Sequence, residues 1–403
     1  MARHSGSLLL VSSPAQRVLP GRPLKNMLEA GYADSLWVGG LHREDLVRIG
    51  LIVGPWFTVP PEKYGGTERV VDALARALSD AGHEVLLATA ADSTCPVPQI
   101  PGFGPAVPED LGLSFSELGH VIKAYAELRD VDIIHDHTLA GPLYAHRPPG
   151  IPVVTTIHGP LSPSYAPLYR DMAQDTAIIA ISHDQCSRVE DLEISAVIHH
   201  GIDLSAVSVG RGAGGYACFV GRMCPDKGLL EAIAVARQAG MPLRIAAKMH
   251  SRDEVQFFDH IVEPMLGPNE DFLGELSDPE KYELMGDAFV LLNPIQWPEP
   301  FGLVMIEALA TGTPVLATSM GAAPEILSHG VNGFLAPTQD LAGYMDAVAG
   351  ISRDVCRRSV EDNFTAARMA ADHLELYGRV IEQFKAKGLP ADGLLQENQS
   401  QAL

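Results

Sequence analysis

Two glutamates, Glu299 and Glu307, stand eight positions apart in the stretch Pro298-Glu299-Pro300-Phe301-Gly302-Leu303-Val304-Met305-Ile306-Glu307. A carboxylate only accepts hydrogen bonds, so it suits sugar hydroxyls. Pro300 stops any preceding element, and Phe301 to Gly302 can open a helix whose unpaired amides point at a phosphate, with Glu299 just outside that end. Glu307 then lies about two turns further in. One carboxylate could hold a transferred hexose and the other a ribose, together a clamp on a nucleotide sugar. The segment fits a plainer description equally well, with Glu299 capping the helix and Glu307 solvated.

Three further segments offer chemistry. Gly221-Arg222-Met223-Cys224-Pro225-Asp226-Lys227-Gly228 carries a guanidinium fork and a compact ammonium. Together they could stabilise a departing diphosphate without a bound metal; alternatively they are two solvated cations. Tyr64-Gly65-Gly66-Thr67-Glu68 puts paired glycines before a helix, where a backbone can approach a diphosphate or sugar ring closely. On its own this reads first as an ordinary loop-to-helix turn. Thr155-Thr156-Ile157-His158-Gly159 ends a strand with an imidazole that could meet a sugar near its reacting carbon, although a lone strand-end histidine is more often structural.

Two other patterns are set aside. His135-Asp136-His137 has the residues of a metal site, but alternate strand residues point to opposite faces, and the pair needs a bend at Asp136 to meet one ion. No metal is expected there. Gly210-Arg211-Gly212-Ala213-Gly214-Gly215 looks like a dinucleotide fingerprint but precedes its strand instead of following one, so it reads as a linker.

These segments need elements to position them. Short β-rich runs at Arg48 to Gly54, Glu84 to Thr89, Val131 to His135, Pro152 to His158 and Ala177 to Ser182 alternate with helical patterns, among them Glu68 to Ala81. Such alternation predicts a parallel sheet covered on both faces. The composition turns to Ser, Gly and Ala around Asp203 to Gly215. The pattern then restarts with Tyr216 to Gly221, the helix Leu229 to Gln238, Leu243 to Ala247, Ala288 to Asn293 and Pro314 to Ala317. Open α/β sheets bind ligands at the carboxyl ends of their strands, so two consecutive doubly wound domains create a cleft there. The expected organisation is a flexible extension over 1–47, a first domain over 48–205, a second over 206–362, a helix over 363–388 and a disordered tail over 389–403. Val47-Arg48-Ile49 also resembles the natural start of such a domain, which raises an upstream start codon chosen in error.

The length of 403 residues, 46% of them apolar, suffices for two cores. A formal charge of 29 minus 50, or -21, argues against a nucleic-acid binder and against attachment to acidic lipid. Cys95, Cys186, Cys218, Cys224 and Cys356 are scattered and odd in number, and read as reduced core thiols of a cytoplasmic protein. No apolar run approaches bilayer length.

Taken together, the glycine pair at Gly65 and Gly66, Gly221-Arg222 through Lys227-Gly228, Glu299-Pro300-Phe301-Gly302 through Glu307, and Gly312-Thr313-Pro314-Val315 resemble the retaining GT-B glycosyltransferases of family 4. Asp271-Phe272-Leu273-Gly274-Glu275-Leu276-Ser277-Asp278 looks like that family's stretch before its base-binding helix. The matches run in the family's order from about residue 48 to about 385. The resemblance implies an α/β GT-B fold, with two Rossmann-like domains facing across a cleft, and a hexosyl transfer that keeps the anomeric configuration and needs no metal or other cofactor. It implies a nucleotide diphosphate sugar as donor, with a UDP-sugar favoured. The lack of an evident basic amphipathic surface favours a soluble small molecule or glycan as acceptor over a lipid, and neither nucleic acid nor integral membrane association is expected.

By the same resemblance Gly65, Gly66 and Thr67 line the donor phosphates, Arg222 and Lys227 hold the diphosphate, and Glu307 takes the ribose hydroxyls. Glu299, with Phe301, Gly302 and Leu303, grips the donor sugar, and His158 stands beside the anomeric centre. Ala247 and Ala322 stand where many members have glycine, which bears on base preference. The rivals are a phosphorylase or sugar-nucleotide epimerase on the same architecture, and a non-catalytic nucleotide-sugar-binding protein.

Overall fold

Most strands of the two lobes are short runs rich in aliphatic residues and buried on both faces, which is the condition under which a fully parallel sheet forms. The computed structural model describes residues 46–387 apart from residue 64, together with the backbone of residues 37–38 and 41–42. Residues 1–45 form a unit of their own, in which Trp37–Val38 pairs antiparallel with Leu41–His42. Otherwise the extension expected over 1–47, like the tail expected over 389–403, lies outside the described residues.

The first lobe holds β1 (Arg48–Ile52), β2 (Glu84–Ala88), β3 (Ile133–Asp136), β4 (Val153–Thr156), β5 (Thr176–Ala180) and β6 (Ala196–Val197). They are parallel, in the order β2-β1-β3-β4-β5-β6. The second lobe repeats the plan with β7 (Ala217–Arg222), β8 (Leu243–Lys248), β9 (Glu270–Gly274), β10 (Val290–Asn293), β11 (Val315–Ala317) and β12 (Gly333–Leu335), in the order β9-β8-β7-β10-β11-β12. The sequence pattern does not announce β6 or β12, because two or three residues are too few to show a period. In both lobes the order reverses beside the first strand, and that switch point is where a crevice opens.

The helices that matter for the site are α1 (Gly66–Asp80), α2 (Ser114–Glu127), α3 (Leu229–Gln238), α4 (Asp278–Asp287), α5 (Leu303–Ala310), α6 (Arg353–Asn363) and α7 (Ala366–Ala386). Val70, Val71, Leu74 and Leu78 make a helical stripe that α1 buries against the first sheet. It starts two residues before the expected Glu68. The segment expected as a linker is tied to the second lobe, where Gly210 N donates to Thr311 O at 2.9 Å and Arg353 Nε donates back to Gly210 O at 2.9 Å.

α7 returns to the first lobe. Ile202 N donates to Phe364 O at 2.9 Å and Ala366 N to Ile202 O at 3.0 Å, so the chain is stitched to the interlobe segment before the helix begins. Thr365 caps it by accepting from Arg368 N at 3.1 Å. Met369, Ala370, Leu376 and Tyr377 then join the core formed by α1 and the first sheet. Each large side chain so buried contributes roughly 1.5–3 kcal/mol, enough in sum to fasten the helix. Cys95, Cys218 and Cys356 are buried thiols as expected, whereas Cys186 and Cys224 are half-buried. No helix among the described residues is long and apolar enough to cross a membrane.

Candidate active site

A cavity of about 460 Å³ opens between the carboxyl ends of the two sheets. The chain arrives there because every strand of a parallel sheet delivers its following loop to the same edge. The first lobe contributes Gly65, Gly66 and Thr67 at the start of α1 and His158 after β4; the second contributes Arg222 and Lys227 after β7, and Glu299, Phe301, Gly302, Leu303 and Glu307 around the start of α5. All eleven residues singled out in the sequence therefore line one space.

Glu299 does not cap α5. The helix starts at Leu303 rather than at Phe301, its cap residue is Gly302 at φ +98, and no side chain bonds its first amides. That backbone conformation strains any residue with a Cβ, so the free amides depend on a glycine there. The Glu299 carboxylate turns instead to Lys227 Nζ, with which it forms an ion pair, and accepts from Trp297 Nε1 at 2.9 Å. Lys227 Nζ also sits 5.3 Å from the centroid of the Trp297 ring. The Glu299 main chain is held by the next loop: Ala322 N donates to Glu299 O at 3.0 Å, and a Cβ on Gly321 would come within 2.2 Å of that oxygen.

Glu307 is not solvated either. Its side chain is 6% exposed and accepts from Lys281 Nζ at 2.6 Å, while Lys281 also meets Asp278 at 3.0 Å. From the opposite lobe Arg69 donates to Asp278 Oδ2 at 2.8 Å and brings its Nε to 4.0 Å from Glu307. Two acids and two bases thus join the lobes across the cleft mouth. A second contact between lobes is made by Glu325, which accepts from the amides of His183 and Asp184 at 2.9 and 2.8 Å and meets His199 Nε2 at 2.7 Å. Burial pushes the Glu325 carboxyl upward, but these donors outweigh it and hold the group below the usual carboxylate range.

The cation cluster contains one member that the sequence reading leaves out. Lys248 ends β8 in register with Arg222 at the end of β7, lines the same cavity and is 7% exposed. Burial, with Arg222 acting in the same direction, pulls its ammonium down to about 6, against the carboxylates of Glu254 and Glu275. Arg222 reaches Glu254 at 3.4 Å and Asp226 at 4.0 Å. On the facing lobe Glu68, in the first turn of α1, is raised to about 7 by burial. A cation at a strand's carboxyl end is a readable signal, and Lys248 carries it; Arg69 and Lys281 lie in polar helix turns that look solvated in sequence.

The histidines correct one expectation. β3 ends at Asp136, so the alternation of faces does not continue to His137, and the His135 and His137 rings lie with centroids 3.9 Å apart. They are nevertheless not presented jointly to an ion. His135 is fully buried, with Nδ1 on Tyr377 Oη at 2.7 Å and Nε2 on Thr156 Oγ1 at 2.8 Å. His137 turns its Nδ1 to His158 Nε2 at 2.9 Å. His158 stacks at 5.2 Å on His200, which meets Phe301 edge-on, and His373 of α7 packs 5.2 Å from His135. Burial holds all five imidazoles well below their usual pKa, His158 at about 3 and His373 at about 4. Among the described residues no group of three or more His, Cys, Asp and Glu side chains is arranged to hold a metal ion.

Comparison with known proteins identifies the family and the fold. Residues 64–206 match the Glycosyltransferase Family 4 model and residues 209–360 the Glycosyl transferases group 1 model. The chain belongs to the group 1 glycosyltransferases, built on the two-lobed GT-B fold. It is 28% identical over 340 residues to the phosphatidyl-myo-inositol mannosyltransferase of Mycolicibacterium smegmatis, covering 76% of this chain and 85% of that protein. It is 26% identical over 374 residues to a glycogen synthase of Mycobacterium tuberculosis, covering 78% and 88%. Among solved structures, AviGT4, a glycosyltransferase of avilamycin A biosynthesis, superposes with a TM-score of 0.66 at 25% identity over 84% of this chain and 98% of that one. Anabaena HepE in complex with UDP and glucose shares the fold, with a TM-score of 0.62 at 21% identity over 82% and 99%.

Proposed function

We propose that the protein moves a sugar from a nucleotide diphosphate sugar to an acceptor hydroxyl, with retention of the anomeric configuration and with protein cations in place of a metal ion. The observation that carries this reading is the convergence of Arg222, Lys227 and the uncapped amino end of α5 on a space flanked by Glu299 and Glu307. When the bond from the anomeric carbon to the phosphate oxygen breaks, its electron pair stays on the diphosphate. Fixed cations and backbone dipoles already aimed at that position absorb the charge without reorganising. Lys248 supplies a third nitrogen at the same strand edge.

Glu299 accepts from hexose hydroxyls, and its pairing with Lys227 holds it in place before the donor arrives. Glu307, held by Lys281, accepts from the ribose. With retention the acceptor oxygen approaches the face that the phosphate leaves, so the departing phosphate oxygen is the base nearest the acceptor's proton. The first lobe receives the acceptor. Leu111 lines the cavity, and the segment that follows it in the chain exposes Leu113 and Phe115; this apolar character favours, as a second reading, an acceptor with an apolar portion over a wholly polar one.

UDP-, GDP- and ADP-sugars should be compared for protection against thermal unfolding, since a ligand of the folded state raises its apparent stability. HepE was solved with UDP and glucose, so a UDP-sugar is the first to test. Protection by one donor class supports the reading, and protection by none overturns it. Transfer that vanishes in chelator and returns only with a divalent ion would exclude the metal-free mechanism. Product formation driven by inorganic phosphate would favour a phosphorylase, and tight donor binding without turnover on a broad acceptor panel a sensor.

A further inference from the structure

The sequence motif His135-Asp136-His137 is left without a task by the transfer chemistry, yet His137 reaches the cavity and touches His158. Its ring is 9% exposed, and its Nε2 is buried with no hydrogen-bond partner. We infer that His137 is a positioning residue: its Nδ1–H donates to His158 Nε2 and fixes His158 as the tautomer that presents an Nδ1–H donor to the sugar in the cavity. The inference deepens the proposed transfer reaction and rests on it for the identity of the ligand.

The direction of the bond follows from counting protons. A neutral imidazole carries one N–H and one lone pair. If the His137 proton were on Nε2, a buried N–H would stand unpaired and Nδ1 would accept from His158. If it is on Nδ1, the unpaired atom is a lone pair, and Nδ1 donates. Orphaned buried N–H groups are the rarer and costlier case, so the second arrangement holds. A doubly protonated ring is disfavoured first by burial, which penalises the charged form. The remaining rings are consistent, since His135 is engaged at both nitrogens by Tyr377 and Thr156 and offers His137 nothing but a face.

The consequence concerns what His158 can do. With its Nε2 lone pair taken by His137, its ring has no free acceptor site for a substrate proton. It serves as a hydrogen-bond donor to a sugar oxygen and is not a general base. This differs from the direct role of Glu299, because His137 acts only through the imidazole it orients.

The test uses full-length protein labelled with 15N-histidine, with long-range proton–nitrogen correlation spectra recorded before any ligand is added and assigned with His158→Asn and His137→Asn. The expected pattern for His158 is a pyrrole-type Nδ1 and a pyridine-type Nε2. The reverse pattern overturns the inference, whatever the enzyme's substrate proves to be. In activity, H137N places an amide N–H where Nδ1 stood and should keep turnover within a few-fold, whereas H137L should lose roughly tenfold in kcat or more, with donor KM little changed. Equal rates for H137N and H137L overturn the positioning role. Should H137L fail to fold, the wild-type spectrum decides the question alone. Absence of any nucleotide-sugar binding would instead count against the transfer reaction, leaving the tautomer measurement intact.

Discussion

Lys227 and Glu299, separated by 72 positions in the chain, form an ion pair inside the cleft, their side chains 19% and 15% exposed. The cation proposed to receive the leaving group and the carboxylate proposed to hold the sugar are therefore already paired with each other. Each fixes the other's rotamer, and Trp297 fixes both.

Replacing Lys227 with alanine should lower kcat by roughly 10²–10³, the range seen when one preorganised donor to a developing charge is removed. The fold should survive, because Glu299 keeps its Trp297 bond. Steady-state rates beside thermal unfolding curves check this. An unchanged rate would exclude Lys227 from the departure of the diphosphate.

Lys248 predicts a pH signature. Its ammonium is depressed to about 6, so the buried nitrogen is mostly neutral at pH 8 and gains charge as the pH falls toward 6. A nucleoside diphosphate arriving beside it raises that pKa again, so binding should take up a proton and tighten from pH 8 to pH 6. Titration calorimetry in buffers of different ionisation enthalpy reads the uptake directly. In Lys248→Met the uptake attributable to this residue should disappear and the affinity should fall roughly tenfold, the value of one charge-assisted hydrogen bond.

Glu307→Gln should weaken nucleotide binding by roughly tenfold or more through loss of its charged acceptor. A nucleotide lacking the ribose hydroxyls should bind wild type and variant about equally. If the variant penalised the deoxy nucleotide as much as the natural one, Glu307 would not be the ribose ligand.

The buried imidazoles predict lability in acid. His135, His137, His158, His200 and His373 are neutral in the folded protein, with pKa values below those of the unfolded chain, where histidine titrates near 6.5. Below that value the unfolded chain binds more protons, so stability falls with pH from about 6.5 toward the depressed native values. Each histidine can contribute up to about 1.4 kcal/mol per pH unit over that window. Glu325 acts in the same sense lower down, since its depressed carboxyl stabilises above its unfolded pKa and loses that effect as the pH falls. Unfolding temperatures from pH 7.5 to 4.5 should drop steeply below 6.5, and a flat profile would mean these rings are solvated.

Much of the architecture is legible in residue order. The run Leu229 to Gln238 is a helix with the bounds its periodicity predicts, and the aliphatic runs at Arg48, Leu243 and Val290 become central strands. β12 escapes notice because Gly-Phe-Leu has no period, and β9 because Glu270 and Asp271 interrupt its apolar pattern. The eleven residues that line the cavity are legible since each sits in a local pattern of glycine, proline and charge. Arg69, Lys281 and His137 are not, because their roles arise from contacts 209, 26 and 21 positions away, which no local spacing encodes.

A crystal soaked with the nucleotide sugar that best protects against unfolding tests the transfer site most directly. Diphosphate oxygens should lie within hydrogen-bonding distance of Arg222 and Lys227, ribose hydroxyls on Glu307, and hexose hydroxyls on Glu299 and the amides beside Gly302. A ligand bound elsewhere, with these four side chains sharing no part of it, would remove the site on which the proposed reaction depends.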